Sequence, residues 1–234
     1  MTEEEKHIEN GAVEFIKSSK KELIAKFCPL ESCRPTARPV SLFMAGSPGA
    51  GKTEISKSFA RRFKDAPVRI DADEIRSVCA GYSGENAHLF QKAANKGVNF
   101  LYDYALHNSI NCIMDGTFAY ADAEKNVQRS LDRGRKVEIW FVYQDPIRAW
   151  EFTKAREARE SRRVSKEVFI RAFFESRMNA KLVKERFGTR VELNILMKDY
   201  DAGSEDILLD VPASELDRFA DGRYSVDTLI DVLL

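Results

Sequence analysis

Residues 39–53 read Pro-Val-Ser-Leu-Phe-Met-Ala-Gly-Ser-Pro-Gly-Ala-Gly-Lys-Thr. Within that stretch, Gly46 to Thr53 fits the phosphate-binding pattern G-x-x-x-x-G-K-[ST], which needs a strand before it and a helix after it. Val40, Leu42, Phe43, Met44 and Ala45 supply an apolar run suited to a buried parallel strand. From Glu54 to Lys64, Ile55, Phe59 and Phe63 recur every four residues, a helical stripe.

The chemistry accounts for the residue types. Gly46, Gly49 and Gly51 let the backbone curl so that successive N–H groups converge on phosphate oxygens, and the helix N-terminus adds positive potential. Lys52 is placed to reach the β- and γ-phosphates, and the Thr53 hydroxyl to hold Mg²⁺. The stretch predicts a nucleoside triphosphate site made of Gly46, Ser47, Pro48, Gly49, Ala50, Gly51, Lys52, Thr53 and Glu54.

On the N-terminal side, Thr2 with Glu3 to Glu5 reads as a capped helix start. Ile8, Ala12, Phe15, Ile16, Leu23 and Phe27 continue an amphipathic stripe, closed by Pro29, Pro35 and Pro39. On the C-terminal side, Val68-Arg69-Ile70 is a short strand running into Asp71-Ala72-Asp73-Glu74-Ile75-Arg76. A long helix is expected over Glu85 to His107, a strand over Ile110 to Met114, a helix over Ala121 to Arg133 and a strand over Val137 to Tyr143. Pro146 opens a helix, Lys166 to Phe187 is another ended by Gly188, and Val191 to Met197 reads as the last strand. Short helices at 213–220 and 225–233 finish the chain.

Alternating strands and helices predict an α/β P-loop NTPase fold with a parallel sheet of about five strands covered on both faces. The organisation expected is a helical segment over 1–37, a kinase-like core over 38–200 with a helical lid at 146–190, and an acidic helical tail over 201–234 packed on the core. The 234 residues suit one large domain with at most a small appendage.

Lys plus Arg and Asp plus Glu both number 37, so no global charge draws the chain to nucleic acid or membrane. The distribution is uneven: 146–190 is strongly basic and 199–221 strongly acidic. The four cysteines (Cys28, Cys33, Cys79, Cys112) lack zinc-ligand spacing, and Cys28 and Cys33 would pair only in an oxidising compartment. An acidic N-terminus and the lack of a long apolar run give a cytoplasmic expectation without a membrane span.

Ligands of such sheets sit at the carboxyl ends of the strands, which places Gly46, Asp71, Asp73 and Asp115 on one edge. Phosphoryl transfer to a hydroxyl is helped by a carboxylate that orients it and takes its proton. Asp73 is favoured for this role and Asp71 for metal or loop placement, with helix capping the bland alternative for either. Asp115 could support Mg²⁺ or, with Thr117, contact substrate hydroxyls. Arg156, Arg159 and Arg163 share a face if their helix persists, although spacing alone favours a solvated face paired with Glu157 and Glu160. Arg159, Arg162, Arg171 and Arg177 stay with that bland reading. His7, His88 and His107 are scattered, and Trp140 and Trp150 read as packing.

In their order these motifs resemble the zeta toxin family of P-loop kinases, whose better-known members phosphorylate UDP-N-acetylglucosamine. The resemblance rests on Gly46-Ser-Pro-Gly-Ala-Gly-Lys-Thr53, Ile70-Asp-Ala-Asp-Glu-Ile-Arg76, Ile113-Met-Asp-Gly-Thr117, Lys154-Ala-Arg-Glu157 and Arg162-Arg-Val-Ser165, over about residues 38–200. It implies ATP and Mg²⁺ as cofactors, Lys52 as the phosphate-loop lysine and Asp73 as the catalytic base. It also implies an acceptor side at Asp73, Arg76, Asp115 and Thr117, and Arg156 and Arg163 on the nucleotide phosphates, which reverses the bland reading for those two. Asp115 replaces the family's usual Glu, and Ala119 stands where some members carry Arg, which weakens the case for the same sugar nucleotide. A separate antitoxin is a further implication.

Rival acceptors are a polynucleotide 5′-hydroxyl, suggested by the Asp73-to-Arg76 spacing and the basic lid, and a sugar or antibiotic. A nucleotide-gated switch is disfavoured, because Asn194 to Asp199 gives no guanine motif.

Overall fold

Val40–Ala45 (β1) forms the middle of the sheet because its alternate side chains are apolar on both faces. In the computed structural model, which describes residues 1–199, 204–219 and 223–233, Leu42 and Met44 pack with Ile55, Val142 and Leu196. Phe43 and Ala45 turn to the opposite, larger core. There Phe43 meets the rings of Tyr102 and Phe118 edge-on at 6.3 and 5.7 Å.

The other strands are β2 (Val68–Asp71), β3 (Cys112–Asp115), β4 (Lys136–Tyr143), β5 (Val191–Asp199) and β6 (Ser204–Leu208). They form one six-stranded sheet in the order β2-β3-β1-β4-β5-β6. The first five are parallel and β6 is antiparallel to β5. The parallel α/β architecture therefore stands, but β5 is not the last strand. Residues 204–208, read as part of a helical tail, extend the sheet as an antiparallel strand on β5.

The helices are α1 (Glu3–Ser18), α2 (Lys20–Phe27), α3 (Lys52–Ala60), α4 (Ala72–Arg76), α5 (Gln91–His107), α6 (Ala123–Leu131), α7 (Pro146–Glu160), α8 (Lys166–Phe187) and α9 (Val226–Val232). The first amphipathic stripe is split at Ser19, beside Ser18, whose hydroxyl donates back to the Glu14 and Phe15 carbonyls. The helix expected from Glu85 begins in α-form only at Gln91. Gly84 is left-handed, and the Asn86 amide bridges the Ser83 N–H and the Gly81 carbonyl, so Glu85 and Asn86 stay in a turn and Ala87–Phe90 form a 3₁₀ helix. Residues 213–219 form a 3₁₀ helix. Its expected end at 220, and the boundary placed between 200 and 201, lie outside the described residues.

A third apolar cluster joins Trp150 of α7 to Phe169 and Phe173 of α8 and to Leu229 and Leu233 near the C-terminus. It anchors the base of the segment expected to form the lid. Among the described residues no helix is long and apolar enough to cross a membrane.

Candidate active site

The turn from β1 into α3 is a cradle with three positions that require glycine. Gly46, Gly49 and Gly51 have φ of 133°, 76° and 85°. A β-carbon on Gly49 would stand 1.9 Å from the Ala149 carbonyl oxygen, and one on Gly46 2.4 Å from that of Val142. Gly51 caps α3, so the first N–H groups of that helix face the cradle. Ser47 and Ala50 are buried, Pro48 and Thr53 partly so, and Glu54 is exposed.

Lys52 is buried and donates from Nζ to the Ser47 carbonyl at 2.6 Å. Burial pushes its pKa down to about 8; Asp115 opposes the fall, while Arg156 and Arg162 add to it. Those two guanidinium groups therefore act electrostatically on the same cradle.

Asp71 ends β2 and caps α4, its Oδ1 accepting from the Asp73 N–H at 2.8 Å. That cap fixes Asp73 in the first turn of α4. The Asp73 carboxylate accepts from Arg76 on its own helix, from Arg162, and from Arg156 Nη2 at 3.5 Å. Arg76 is buried, which lowers its pKa, and Asp73 resists that shift.

Asp115, at the end of β3, is buried. Its Oδ2 accepts from Ser56 Oγ and from Arg69 Nη1, each at 2.6 Å. Burial raises its pKa, with Asp71 adding and Ser56, Arg69 and Lys52 opposing. Arg69 also pairs with Asp71 at 3.1 Å and with Glu74. The Thr117 carbonyl accepts from the Gly46 N–H at 3.2 Å, tying the loop after β3 to the cradle, and its hydroxyl accepts from the Ala119 N–H at 3.3 Å.

The structure thus gathers Lys52, Asp73, Arg76, Asp115, Thr117 and Arg156 along one sheet edge. It does not bring Arg163 there: that side chain is 79% exposed, with Glu157 4.0 Å away. Arg162, read from sequence as solvated, takes the place on Asp73. The reason is local. α7 stops at Glu160 and Ser161 is left-handed at φ 56°, so the helical phase that grouped Arg156 with Arg163 is lost. Ser56 and Arg69 were also missed; a hydroxyl in a helix and a lone charge in a strand give no motif to find.

The profile of the zeta toxin family matches residues 28–204, well over half of the chain. The chain belongs to the zeta toxin family. Solved structures share the fold at low identity. A chain of the PezAT chromosomal toxin–antitoxin system of the human pathogen Streptococcus pneumoniae aligns with a TM-score of 0.64 and 18% identity, covering 100% of this chain and 88% of that one. The AvrRxo1-ORF1:AvrRxo1-ORF2 complex aligns at 0.60 and 14%, covering 92% and 70%. The Pnkp1/Rnl/Hen1 RNA repair complex aligns at 0.51 and 16%, covering 65% and 47%. Among curated proteins no relative matches by sequence. Zeta toxins are P-loop kinases, and this member keeps the nucleotide-binding loop of the family.

Proposed function

We propose that this zeta toxin family member transfers the γ-phosphoryl group of ATP to a hydroxyl of a small molecule, with a nucleotide sugar such as UDP-N-acetylglucosamine the leading acceptor. The observation that carries the reading is Asp73, a carboxylate in the first turn of the helix after β2, held by Arg76, Arg156 and Arg162, the last two of which also act on the cradle's buried lysine. In this scheme Asp73 orients the acceptor hydroxyl and takes its proton. Lys52 and the cradle amides hold the phosphates, and Arg156 and Arg162 balance charge on the transferred group. Arg163, assigned by resemblance to the same task, would have to swing in from solvent.

The glycine φ values and the missing room for β-carbons fit a polyphosphate lying on bare backbone. Among the described residues no group of three or more His, Cys, Asp or Glu could hold a metal. By the phosphate-loop pattern, the Thr53 hydroxyl would hold Mg²⁺ together with phosphate oxygens. When bound it supplies positive charge beside the β- and γ-phosphates.

Arg76, Asp115 and Thr117 are assigned to the acceptor side. Asp115 is one methylene shorter than the family's usual Glu, and its Oδ2 is drawn onto Ser56 and Arg69. That retreat weakens the case for UDP-N-acetylglucosamine itself among nucleotide sugars. A polynucleotide 5′-hydroxyl is the second reading, supported by the basic stretch 146–190. A separate antitoxin partner and a cytoplasmic site of action complete the proposal.

Labelled ATP incubated with nucleotide sugars, small sugars and oligonucleotides, read by mass spectrometry, tests it. Transfer to one acceptor class should vanish in Asp73→Asn while ATP binding persists. Full transfer by that variant would remove Asp73 from the role of base. Binding that falls steeply with salt would move the assignment to a polynucleotide.

A further inference from the structure

A second lysine lies against the cradle, and the phosphate-loop pattern does not include it. Lys198 comes from near the carboxyl end of β5, and its side chain is only 10% exposed. Its Nζ reaches over the turn, so that a β-carbon built on Gly51 would stand 2.6 Å from it. Gly51 is the N-cap of α3. A cation at that point faces the positive end of a helix dipole, which by itself disfavours the arrangement. Among the described residues its acidic neighbour is Glu205 of β6, 3.6 Å away and 56% exposed. That separation is longer than a hydrogen bond, and a pair so open to water contributes little. Neither the helix nor Glu205 explains why a lysine is so little exposed here. An anion seated on the α3 N-terminus does.

We infer that Lys198 is a further donor-binding residue, whose ammonium engages the phosphate chain of the nucleoside triphosphate from the β5 flank of the sheet. This rests on the kinase reading above. Asp73 approaches from the β2 flank and Arg156 from α7, so Lys198 closes the remaining side of the cradle. A compact, strongly hydrated ammonium suits phosphate oxygens better than a base or a ribose. Glu205 is its exposed counter-ion, in competition with the nucleotide.

The test measures binding of ATP, and of inorganic tripolyphosphate as competitor, to the full chain and to Lys198→Met, Lys198→Arg and Glu205→Gln. Melting temperatures are recorded alongside. Lys198→Met should weaken both ligands roughly tenfold, the scale of one charge-assisted hydrogen bond, with the KM for the acceptor unchanged. Lys198→Arg should keep most of the affinity. Glu205→Gln should tighten ATP binding by about twofold to threefold by freeing the ammonium. Wild-type affinity in a folded Lys198→Met protein would overturn the inference. So would a Glu205→Gln protein weakened as much as Lys198→Met, since Lys198 would then be a strut of the β5–β6 pair. Weakened binding in Lys198→Met together with no transfer by the wild type would leave Lys198 standing and sink the kinase reading instead.

Discussion

Two buried cations sit at opposite ends of the central strand, and they are treated very differently. At the amino end Arg135, 4% exposed, donates to the Ser41 hydroxyl at 2.6 Å, the Ile110 carbonyl at 2.6 Å and the Val40 carbonyl at 2.9 Å. Ser41 also accepts from Ser130, whose hydroxyl meets that of Tyr102, so the guanidinium terminates a connected polar network. At the carboxyl end Lys52, 8% exposed, has one carbonyl partner, two nearby guanidinium groups and a depressed pKa. A cation kept for structure is surrounded by acceptors. A cation kept for a ligand is left short of them, and the fold carries the strain.

The sharpest way to break this contrast is to remove each cation in turn. Arg135→Met strips donors from the Val40, Ala105 and Ile110 carbonyls and the Ser41 hydroxyl, and should destabilise the fold by about 3–5 kcal/mol. In a chain of this size that is roughly 6–20 °C in melting temperature. Phosphoryl transfer per folded molecule, measured well below the melting point, should stay near the wild-type value. A large loss of turnover in the folded variant would show that the amino end is not merely structural.

Lys52→Met should do the reverse. Losing the buried donor to the phosphates should lower turnover by about 10²–10³-fold, as for other preorganised charge-stabilising donors. Its melting temperature should not fall. Wild-type turnover in this variant would remove the phosphate loop from the chemistry altogether.

The same contrast recurs within two neighbouring residues beyond α7. Arg162 shares the Asp73 carboxylate with Arg76 and Arg156, whereas Arg163 lies in solvent near Glu157. Arg162→Ala should lower kcat/KM by about 10–100-fold, and Arg163→Ala by less than about threefold. The opposite order would mean that the segment after Ser161 reorganises when nucleotide binds, as the family resemblance implies for Arg163.

What could be read from sequence was what is encoded locally. The phosphate loop, β1, β2 and the span of α8 are set by runs of residues with their own caps and breakers: Gly51 before α3, Ser165 before α8 and Gly188 after it. The roles of Arg162, Arg135 and Lys198 depend on where the chain goes after a single backbone event or across the sheet. Ser161 in the left-handed region decides which of two adjacent arginines turns inward, and serine does not announce that conformation. β6 escaped because Glu205 and Asp206 give it the charge of an exposed edge strand, which blurs its alternation. Asp71 and Asp73 sit two residues apart, and sequence favoured Asp73 as base and Asp71 for metal or loop placement, with capping open to either. In the structure the backbone hydrogen bond falls to Asp71 and the arginines to Asp73.

The smallest effect is the most specific to the contrast, because it concerns stability at the site rather than catalysis. If Lys52 is strained in the absence of phosphate, replacing it should stabilise the free protein. Its pKa falls from 10.5 to about 8 on folding, so below pH 8 it is charged in both states and the folded state bears the full penalty. Lys52→Met should therefore gain about 1–2 kcal/mol at pH 7, less than the shift alone implies because the bond to Ser47 is also lost. Between pH 8 and 10.5 the unfolded chain holds more protons at this position than the folded one, and wild-type stability rises with pH relative to the variant. The gap should close within that window and reverse towards its upper end, where the neutral amine keeps its bond to Ser47 and bears no burial penalty. Other lysines and tyrosines titrate there too, but equally in both proteins, so the difference in urea midpoints from pH 7 to 10 isolates Lys52. A constant gap, or a less stable variant at pH 7, would place Lys52 with Arg135 as a satisfied structural cation and dissolve the distinction between the two ends of the sheet.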